Sequence, residues 1–134
     1  MKLLLNIDVP DLAAAEAFYG DAFGLAPARR FGNDVVELTG APVPLHLLRK
    51  AADRAAEAPA HRDYARHWTP LHCDVVVDDL DAALARALSA GAMREGTVRD
   101  AAWGRLVQLA DPFGHGWCLL EFRGRGYDEI TDPS

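Results

Sequence analysis

An internal repeat constrains the possible fold of this chain more than any other feature of its sequence. Residues 6–18, NIDVPDLAAAEAF, align with residues 74–86, DVVVDDLDAALAR, at an offset of 68 residues. The matching positions are Val9, Asp11, Leu12, Ala14 and Ala15 with Val77, Asp79, Leu80, Ala82 and Ala83. Because this offset is half of the 134-residue chain, we expect a duplicated structural module.

Each copy of the repeat begins with a β-rich run and continues into an Ala-rich helix. An Asp suited to capping the helix lies between them: Asp11 in the first copy, and either Asp78 or Asp79 in the second. Apolar residues at helical spacing predict the buried faces, which are Leu12, Ala15, Tyr19 and Phe23 in the first helix and Leu80, Ala83, Leu84, Ala87 and Leu88 in the second. Gly24 and Gly91 are predicted to end the two helices.

Short strands bounded by turn residues follow each helix. The predicted strands are 28–31, 34–39 and 44–49 in the first half, and 93–99, 104–110 and 116–122 in the second. Each half reads β-α-β-β-β, which predicts an α+β fold of two tandem βαβββ modules forming cupped antiparallel sheets. We expect one domain with module 1 at about 1–49, a linker at 50–70 with a short helix near 51–58, module 2 at about 71–122, and a polar tail at 123–134.

Composition limits the classes of function. The net charge is −6 and no basic cluster is present, so neither nucleic acid nor an anionic membrane is an expected partner. No apolar run approaches the roughly 20 residues that span a bilayer, and the first residues lack a signal-peptide cleavage site. We therefore expect a cytoplasmic protein. The two cysteines, Cys73 and Cys118, form no CxxC motif, and either suits an ordinary buried thiol.

With these modules assigned, the chain resembles the vicinal oxygen chelate superfamily, which comprises glyoxalases, bleomycin-resistance proteins and extradiol dioxygenases. Three stretches carry the resemblance: NIDVPDLAAAEAFYGDAFGL at 6–25, HCDVVVDDLDAALARALSAGA at 72–92, and GRLVQLADPFGHGWCLLEF at 104–122. The resemblance implies that the curved sheets enclose a site for a small-molecule ligand, and that the protein is a homodimer.

In metal-dependent members of the superfamily, ligands come from the first and fourth strands of each module. The resemblance carries these positions onto Leu4, His46, His72 and Cys118. Leu4 has no donor atom and Cys118 stands where a Glu is usual, so this quartet is altered at two places. His46, His72 and Cys118 with a water would still be an acceptable open site for a divalent metal such as Zn, Ni, Mn or Fe. A protein without any metal remains the alternative, with Cys118 as a small buried side chain.

Several polar and aromatic residues are predicted to line the cavity, namely Asn6, Asp8, Asp74, Trp68, Trp103 and Glu121. Glu121 follows Cys118 by three residues, so a regular strand places the two on opposite faces, and only a bulge would turn Glu121 inward. A solvated strand end near Arg123 is the favoured interpretation of Glu121. Glu37 is expected to face solvent, with a role as general base as the alternative.

Two functions remain open from the sequence, and they differ in whether chemistry takes place. The first is a glyoxalase-like lyase or isomerase with a non-standard or absent metal site. The second is a metal-free protein of the bleomycin-resistance type, which binds an antibiotic or another small molecule without catalysis. The sequence identifies neither the ligand nor a catalytic residue.

Overall fold

The computed structural model describes residues 1–133, and these divide into two compact units. The first unit comprises Met1–Ala65 and the second begins at Arg66. Each unit contains one helix and one four-stranded sheet, as the repeat predicts. No helix within residues 1–133 has the length and apolar character needed to cross a membrane.

The first unit follows the predicted order of elements. It contains β1 (Leu5–Val9), α1 (Leu12–Phe23), β2 (Ala26–Phe31), β3 (Val35–Thr39) and β4 (Leu45–Arg49). The strand order in the sheet is β1-β4-β3-β2. The first strand of the unit therefore lies beside its last strand.

The second unit repeats this arrangement. It contains β5 (Cys73–Val76), α2 (Leu80–Ala90), β6 (Met93–Ala101), β7 (Gly104–Ala110) and β8 (Gly116–Phe122), and a single 3₁₀ turn follows at Gly126–Glu129. The strand order is β5-β8-β7-β6, which is the order of the first sheet. The predicted α+β fold with two βαβββ modules is confirmed.

Both sheets are mixed, so the expectation of purely antiparallel sheets needs correction. β1 is parallel to β4 and β5 is parallel to β8, whereas the remaining neighbours are antiparallel. The helix after each leading strand carries the chain back to the end of the sheet where it started. Two successive hairpins then leave the last strand of the unit running in the same direction as the first.

Aspartates and glycines bound both helices as predicted. Asp11 Oδ1 accepts from Ala14 N, and Asp79 Oδ1 accepts from Ala82 N, so Asp79 caps α2. Gly24 and Gly91 end the helices with φ values of 71° and 113°. The buried helix residues are Ala15, Phe18, Tyr19 and Ala22 in α1 and Leu80, Ala83, Leu84 and Ala87 in α2. Leu12, Phe23 and Leu88 were also expected in this set, but Leu12 and Phe23 are half-buried and Leu88 is 41% exposed.

The predicted helix near 51–58 is wrong, because this segment has irregular structure. The carboxylate of Asp53 accepts a hydrogen bond from Ala56 N, and Asp53 forms an isolated antiparallel bridge with Arg62. Such side-chain bonds to nearby backbone compete with helix formation. Arg62 also donates from Nε to Asp8 Oδ2 at 3.0 Å, and this ion pair ties the segment to β1.

Candidate functional site

Strand pairing brings three polar residues side by side across the sheet of the first unit. His46 on β4 lies between Asn6 on β1 and Glu37 on β3. Glu37 accepts two hydrogen bonds from Arg29, at 2.9 and 2.5 Å, and His46 Nε2 lies 3.3 Å from its Oε2. The result is a connected Arg29–Glu37–His46 group within one unit.

The burial of Glu37 overturns the expectation that this residue faces solvent. Glu37 is only 8% exposed, and its hydrogen bonds with Arg29 hold its pKa below the ordinary value. His46 is also mostly buried, and within the described residues its Nδ1 atom has no hydrogen-bond partner. Because Nε2 faces the Glu37 carboxylate, Nε2 is the nitrogen placed to carry the proton, which leaves Nδ1 as an acceptor. No local pattern in the sequence indicated this network, because Arg29 and Glu37 lie on different strands.

The equivalent positions of the second unit carry a different set of side chains. Cys118 on β8 lies between Asp74 on β5 and Gln108 on β7. Cys118 is 4% exposed and its thiol interacts with the Asp74 carboxylate. Burial, followed by the negative charge of Asp74, raises the pKa of the Cys118 thiol to about 11. In the absence of a metal this thiol is therefore protonated at neutral pH.

His72 joins Asp74 and Cys118 in a cluster of potential metal ligands. His72 Nε2 lies 3.4 Å from Asp74 Oδ1, and one ligand atom from each of the three residues lies within 4.8 Å of the others. Cys118 is buried, whereas His72 and Asp74 are exposed, so the cluster is open on one side. This places together two of the three predicted ligands, His72 and Cys118. The third, His46, belongs to the first unit.

The chemistry of this donor set fits a zinc-type divalent ion. Imidazole, carboxylate and thiolate are all ligands that zinc accepts, and three protein ligands leave a fourth position for water or substrate. The ion would have to displace the proton of Cys118, because metals bind the thiolate form. The quartet implied by the superfamily resemblance does not fit as a whole, since Leu4 offers no donor atom. Asp74, on the same unit as His72 and Cys118, supplies a third donor instead.

A cavity of about 250 Å³ lies beside the cluster in the second unit. His72 and Cys118 line it, together with Gln108, Trp68 and Trp117. The Trp68 side chain is 80% exposed, whereas Trp117 is almost fully buried. The cavity therefore combines potential metal ligands, an amide that can both donate and accept hydrogen bonds, and an aromatic surface at its rim.

Arg66 and Glu95 also line this cavity, and sequence reasoning missed both. The Arg66 guanidinium donates to the Glu95 carboxylate from Nε at 3.0 Å and from Nη2 at 2.9 Å. The Arg66 side chain passes directly over Gly116, where an added Cβ would lie 2.6 Å from an Arg66 nitrogen. Gly116 was the available signal in the sequence, because a glycine within a strand often marks the close approach of another group.

The turn before β8 is organised by the buried carboxylate of Asp111. Its Oδ1 accepts from the backbone N–H groups of Phe113 and His115, and its Oδ2 accepts from Trp117 Nε1 at 3.0 Å. His115 Nδ1 lies 2.9 Å from the same Oδ2. These contacts fix the start of β8, and with it the position of Cys118.

The remaining predicted site residues lie in other surroundings. Glu121 accepts from Leu80 N at 2.8 Å and from Arg123 Nε at 3.1 Å, so its carboxylate joins β8 to the start of α2 rather than lining the 250 Å³ cavity. Trp103 packs against Tyr127, with ring centroids 5.5 Å apart. Asp8 pairs with Arg62, and Asn6 lies beside His46, both in the first unit.

Comparisons with known proteins identify the family and find solved structures with the same fold. A family model described as a glyoxalase-like domain matches residues 5–120. An uncharacterised protein of Mycobacterium bovis is 31% identical over 131 residues, which cover 93% of this chain and 86% of that protein. The fosfomycin resistance protein FosX from Listeria monocytogenes has a similar structure, with a TM-score of 0.73, 14% identity and 98% of both chains covered. A lactoylglutathione lyase from Agrobacterium tumefaciens has a TM-score of 0.62 at 23% identity, covering 90% of this chain and 92% of the lyase. The chain thus belongs to the glyoxalase-like domain family, within the vicinal oxygen chelate superfamily.

Proposed function

We propose that this chain is a lyase or isomerase that acts on a small oxygen-bearing molecule in the cavity of the second unit. The proposal includes a divalent metal held by His72, Asp74 and Cys118. The observation that carries it is the convergence of three different donor groups beside one cavity. Family membership supports the proposal. The structural neighbours of this chain, which include a lactoylglutathione lyase and a fosfomycin resistance protein, support it as well.

The side chains around the cavity have separate roles in this proposal. A bound divalent ion would supply Lewis-acid polarisation of a substrate oxygen. Glu95 is the lining carboxylate outside the ligand cluster, and it is the group placed to take a proton from the substrate. Arg66 orients Glu95 through three hydrogen bonds from its guanidinium to the Glu95 carboxylate. The Gln108 amide hydrogen-bonds the substrate, and Trp68 covers its apolar part.

A second function, metal-free binding without catalysis, is favoured by a specific observation. Burial raises the pKa of the Cys118 thiol to about 11, and the thiol already has Asp74 as a partner. A protonated, hydrogen-bonded thiol is stable without a metal. The exposed Trp68 beside the cavity also suits stacking against a planar ligand, as in a small-molecule-binding protein of the bleomycin-resistance type.

Metal content of the purified chain distinguishes the two functions. The protein is incubated in turn with Zn, Ni, Mn and Fe(II), desalted, and assayed by elemental analysis. The metal site predicts about one retained ion per chain. Cys118→Ser and His72→Ala should lose that ion. Cys73→Ser and His61→Ala are the matched controls, because Cys73 and His61 lie outside the cluster, and both should retain it.

Turnover is tested with the loaded protein on two substrates suggested by the names of the neighbours, lactoylglutathione and fosfomycin. Glu95→Gln should abolish any turnover while leaving the metal content unchanged. A chain that retains no ion under any condition contradicts the metal site. Saturable quenching of tryptophan fluorescence by a ligand in that metal-free chain would then support the binding function.

The proposal also takes the protein to be a cytoplasmic homodimer. Superfamily resemblance supports the dimer, and the acidic composition is compatible with the cytoplasm. Sedimentation velocity on the purified chain measures the assembly directly. A single monomeric species at micromolar concentrations would contradict the dimer without affecting the proposed site.

A further inference from the structure

A second cavity, of about 220 Å³, lies on the same sheet of the second unit. It shares Glu95 and Gln108 with the first cavity, so the two are adjacent. Its other lining residues include Thr97, Arg99 and Leu106. The proposed chemistry assigns no role to Thr97, Arg99 or Leu106.

A bulge in β6 directs Arg99 into the second cavity. Glu95 pairs with Gln108 and Arg99 pairs with Leu106, so the four-residue step along β6 matches a two-residue step along β7. The extra residues include Gly96, whose φ of 87° is a conformation that other residues rarely adopt. Arg99 consequently points to the same face of the sheet as Gln108 and Cys118.

Arg99 combines the lack of an ion pair with a position in a cavity. Within the described residues, three arginines form no ion pair: Arg86, Arg94 and Arg99. Of these three, Arg99 lines a cavity, whereas Arg86 and Arg94 line neither of the two described above. Arg99 is exposed like the other two, so its distinguishing feature is the cavity, where its guanidinium is available to an anion from solution.

The neighbouring carboxylate does not neutralise Arg99. Glu95 lines both cavities, but its oxygens are engaged by the Arg66 guanidinium at 2.9–3.2 Å. Arg99 pairs with Leu106 on β7, and Cys118 pairs with Gln108, two residues further along the same strand. Arg99 is therefore close enough to the ligand cluster for one small molecule to contact both.

We propose that the second cavity binds an oxyanion, a carboxylate or a phosphate-type group, on the same molecule whose reacting part occupies the first cavity. The Arg99 guanidinium presents a planar set of donors that matches an oxyanion. The Thr97 hydroxyl and the Gln108 amide add hydrogen bonds from the same cavity. The assignment of this anion to a substrate rests on the proposed function, whereas oxyanion binding itself does not.

Oxyanion binding is tested by NMR on the full chain after dialysis against EDTA, so that no metal can hold the anion. Amide and arginine Nε–H resonances are followed while methyl phosphate, acetate or neutral methanol is added. Methyl phosphate and acetate should shift Thr97 and Arg99 saturably, and methanol should not. Comparison of the two anions distinguishes a phosphate-type group from a carboxylate.

Variants of two arginines on β6 determine whether the binding depends on Arg99. Arg99→Gln should weaken anion binding by about tenfold, since a charge-assisted hydrogen bond is lost. Arg99→Lys should retain most of the affinity. Arg94→Gln is the matched control, because Arg94 lies on the same strand without an ion pair or a cavity, and it should bind like the wild type.

The outcomes separate this inference from the proposed function. The oxyanion site is overturned if the wild type and Arg99→Gln bind the anion with equal affinity. It is also overturned if Arg94→Gln loses as much affinity as Arg99→Gln. Neither outcome depends on the metal content. Arg99-dependent binding that persists in His72→Ala supports the oxyanion site independently of the metal. If the chain retains no metal but binds anions through Arg99, the metal site fails and the oxyanion site stands.

Discussion

Within the described residues, two carboxylates are buried, and each is satisfied in a different way. Asp111, 2% exposed, accepts hydrogen bonds from backbone and side-chain donors of its own turn. Glu37 accepts from Arg29 on another strand and faces His46. Buried carboxylates persist only with such partners, because an unpaired one loses its hydration without compensation. Removal of either charge therefore has a measurable cost.

Asp111→Asn should destabilise the protein by about 2–4 kcal/mol. The Asn NH₂ group replaces one carboxylate oxygen, so it faces an N–H donor whose hydrogen bond it cannot accept. Urea unfolding at neutral pH measures the difference. Asp21→Asn is the control, since Asp21 is exposed on α1, and it should leave stability nearly unchanged. Equal stability of the Asp111 variant and the wild type would show that the turn does not depend on this carboxylate.

Glu37→Gln should destabilise the protein at neutral pH, but not in acid. The folded-state pKa of Glu37 is lowered, so its contribution is present above the unfolded-state pKa and is lost as pH falls through the folded-state pKa. Below that point both proteins carry a neutral side chain at residue 37. The urea midpoints of the two proteins should therefore differ at about pH 7 and converge at a pH below the folded-state pKa of Glu37.

The matched control for this pH effect is Glu57→Gln, because Glu57 is exposed. Its midpoints should follow those of the wild type at both pH values. If Glu37→Gln loses the same amount of stability at neutral and at acidic pH, the shape of the side chain matters rather than its charge.

At the level of elements, the start of α2 depends on two carboxylates from different parts of the chain. Asp79 caps the helix locally through Ala82 N, and Glu121 from β8 accepts from Leu80 N. Both satisfy N–H groups that have no partner within a helix, and both place negative charge at the positive end of the helix dipole. Glu121 thereby links the helix to the strand that carries Cys118.

Asp79→Ala should cost about 1 kcal/mol, which is the typical effect of removing an N-cap. Asp78→Ala provides the matched control, because the adjacent Asp78 is exposed and caps no backbone N–H in the described structure. Thermal or urea unfolding compares the two variants. A larger loss in Asp78→Ala than in Asp79→Ala would contradict the capping role of Asp79.

At the scale of the whole molecule, acid should destabilise the protein. The carboxylates with lowered pKa values are Glu37, Asp63, Asp81, Glu121 and Glu129. Each contributes stability above its unfolded-state pKa and loses that contribution as pH falls through its folded-state pKa. Urea midpoints should therefore decrease from about pH 5 to about pH 2, even though the net charge is near zero at the upper end of this range. A constant or rising midpoint over this range would contradict the prediction.

The sequence by itself determined the repeat and nearly all of the helices and strands. Helix caps, glycine stops, alternating strands and turn residues act over a few positions, so their effects can be read along the chain. The fold class and the capping aspartates followed from these local signals, and superfamily resemblance pointed to the family. The predicted helix near 51–58 failed because Asp53 bonds its own neighbouring backbone instead.

The tertiary structure alone decided which polar groups meet. The parallel pairing of β5 with β8 places Asp74 beside Cys118, and the antiparallel pairing of β3 with β4 places Glu37 beside His46. Arg66 reaches Glu95 across Gly116, and the bulge of β6 directs Arg99 into a cavity. These contacts join residues on different strands, and their burial and charge depend on which strands pair and in which register, which the packing of the whole unit decides.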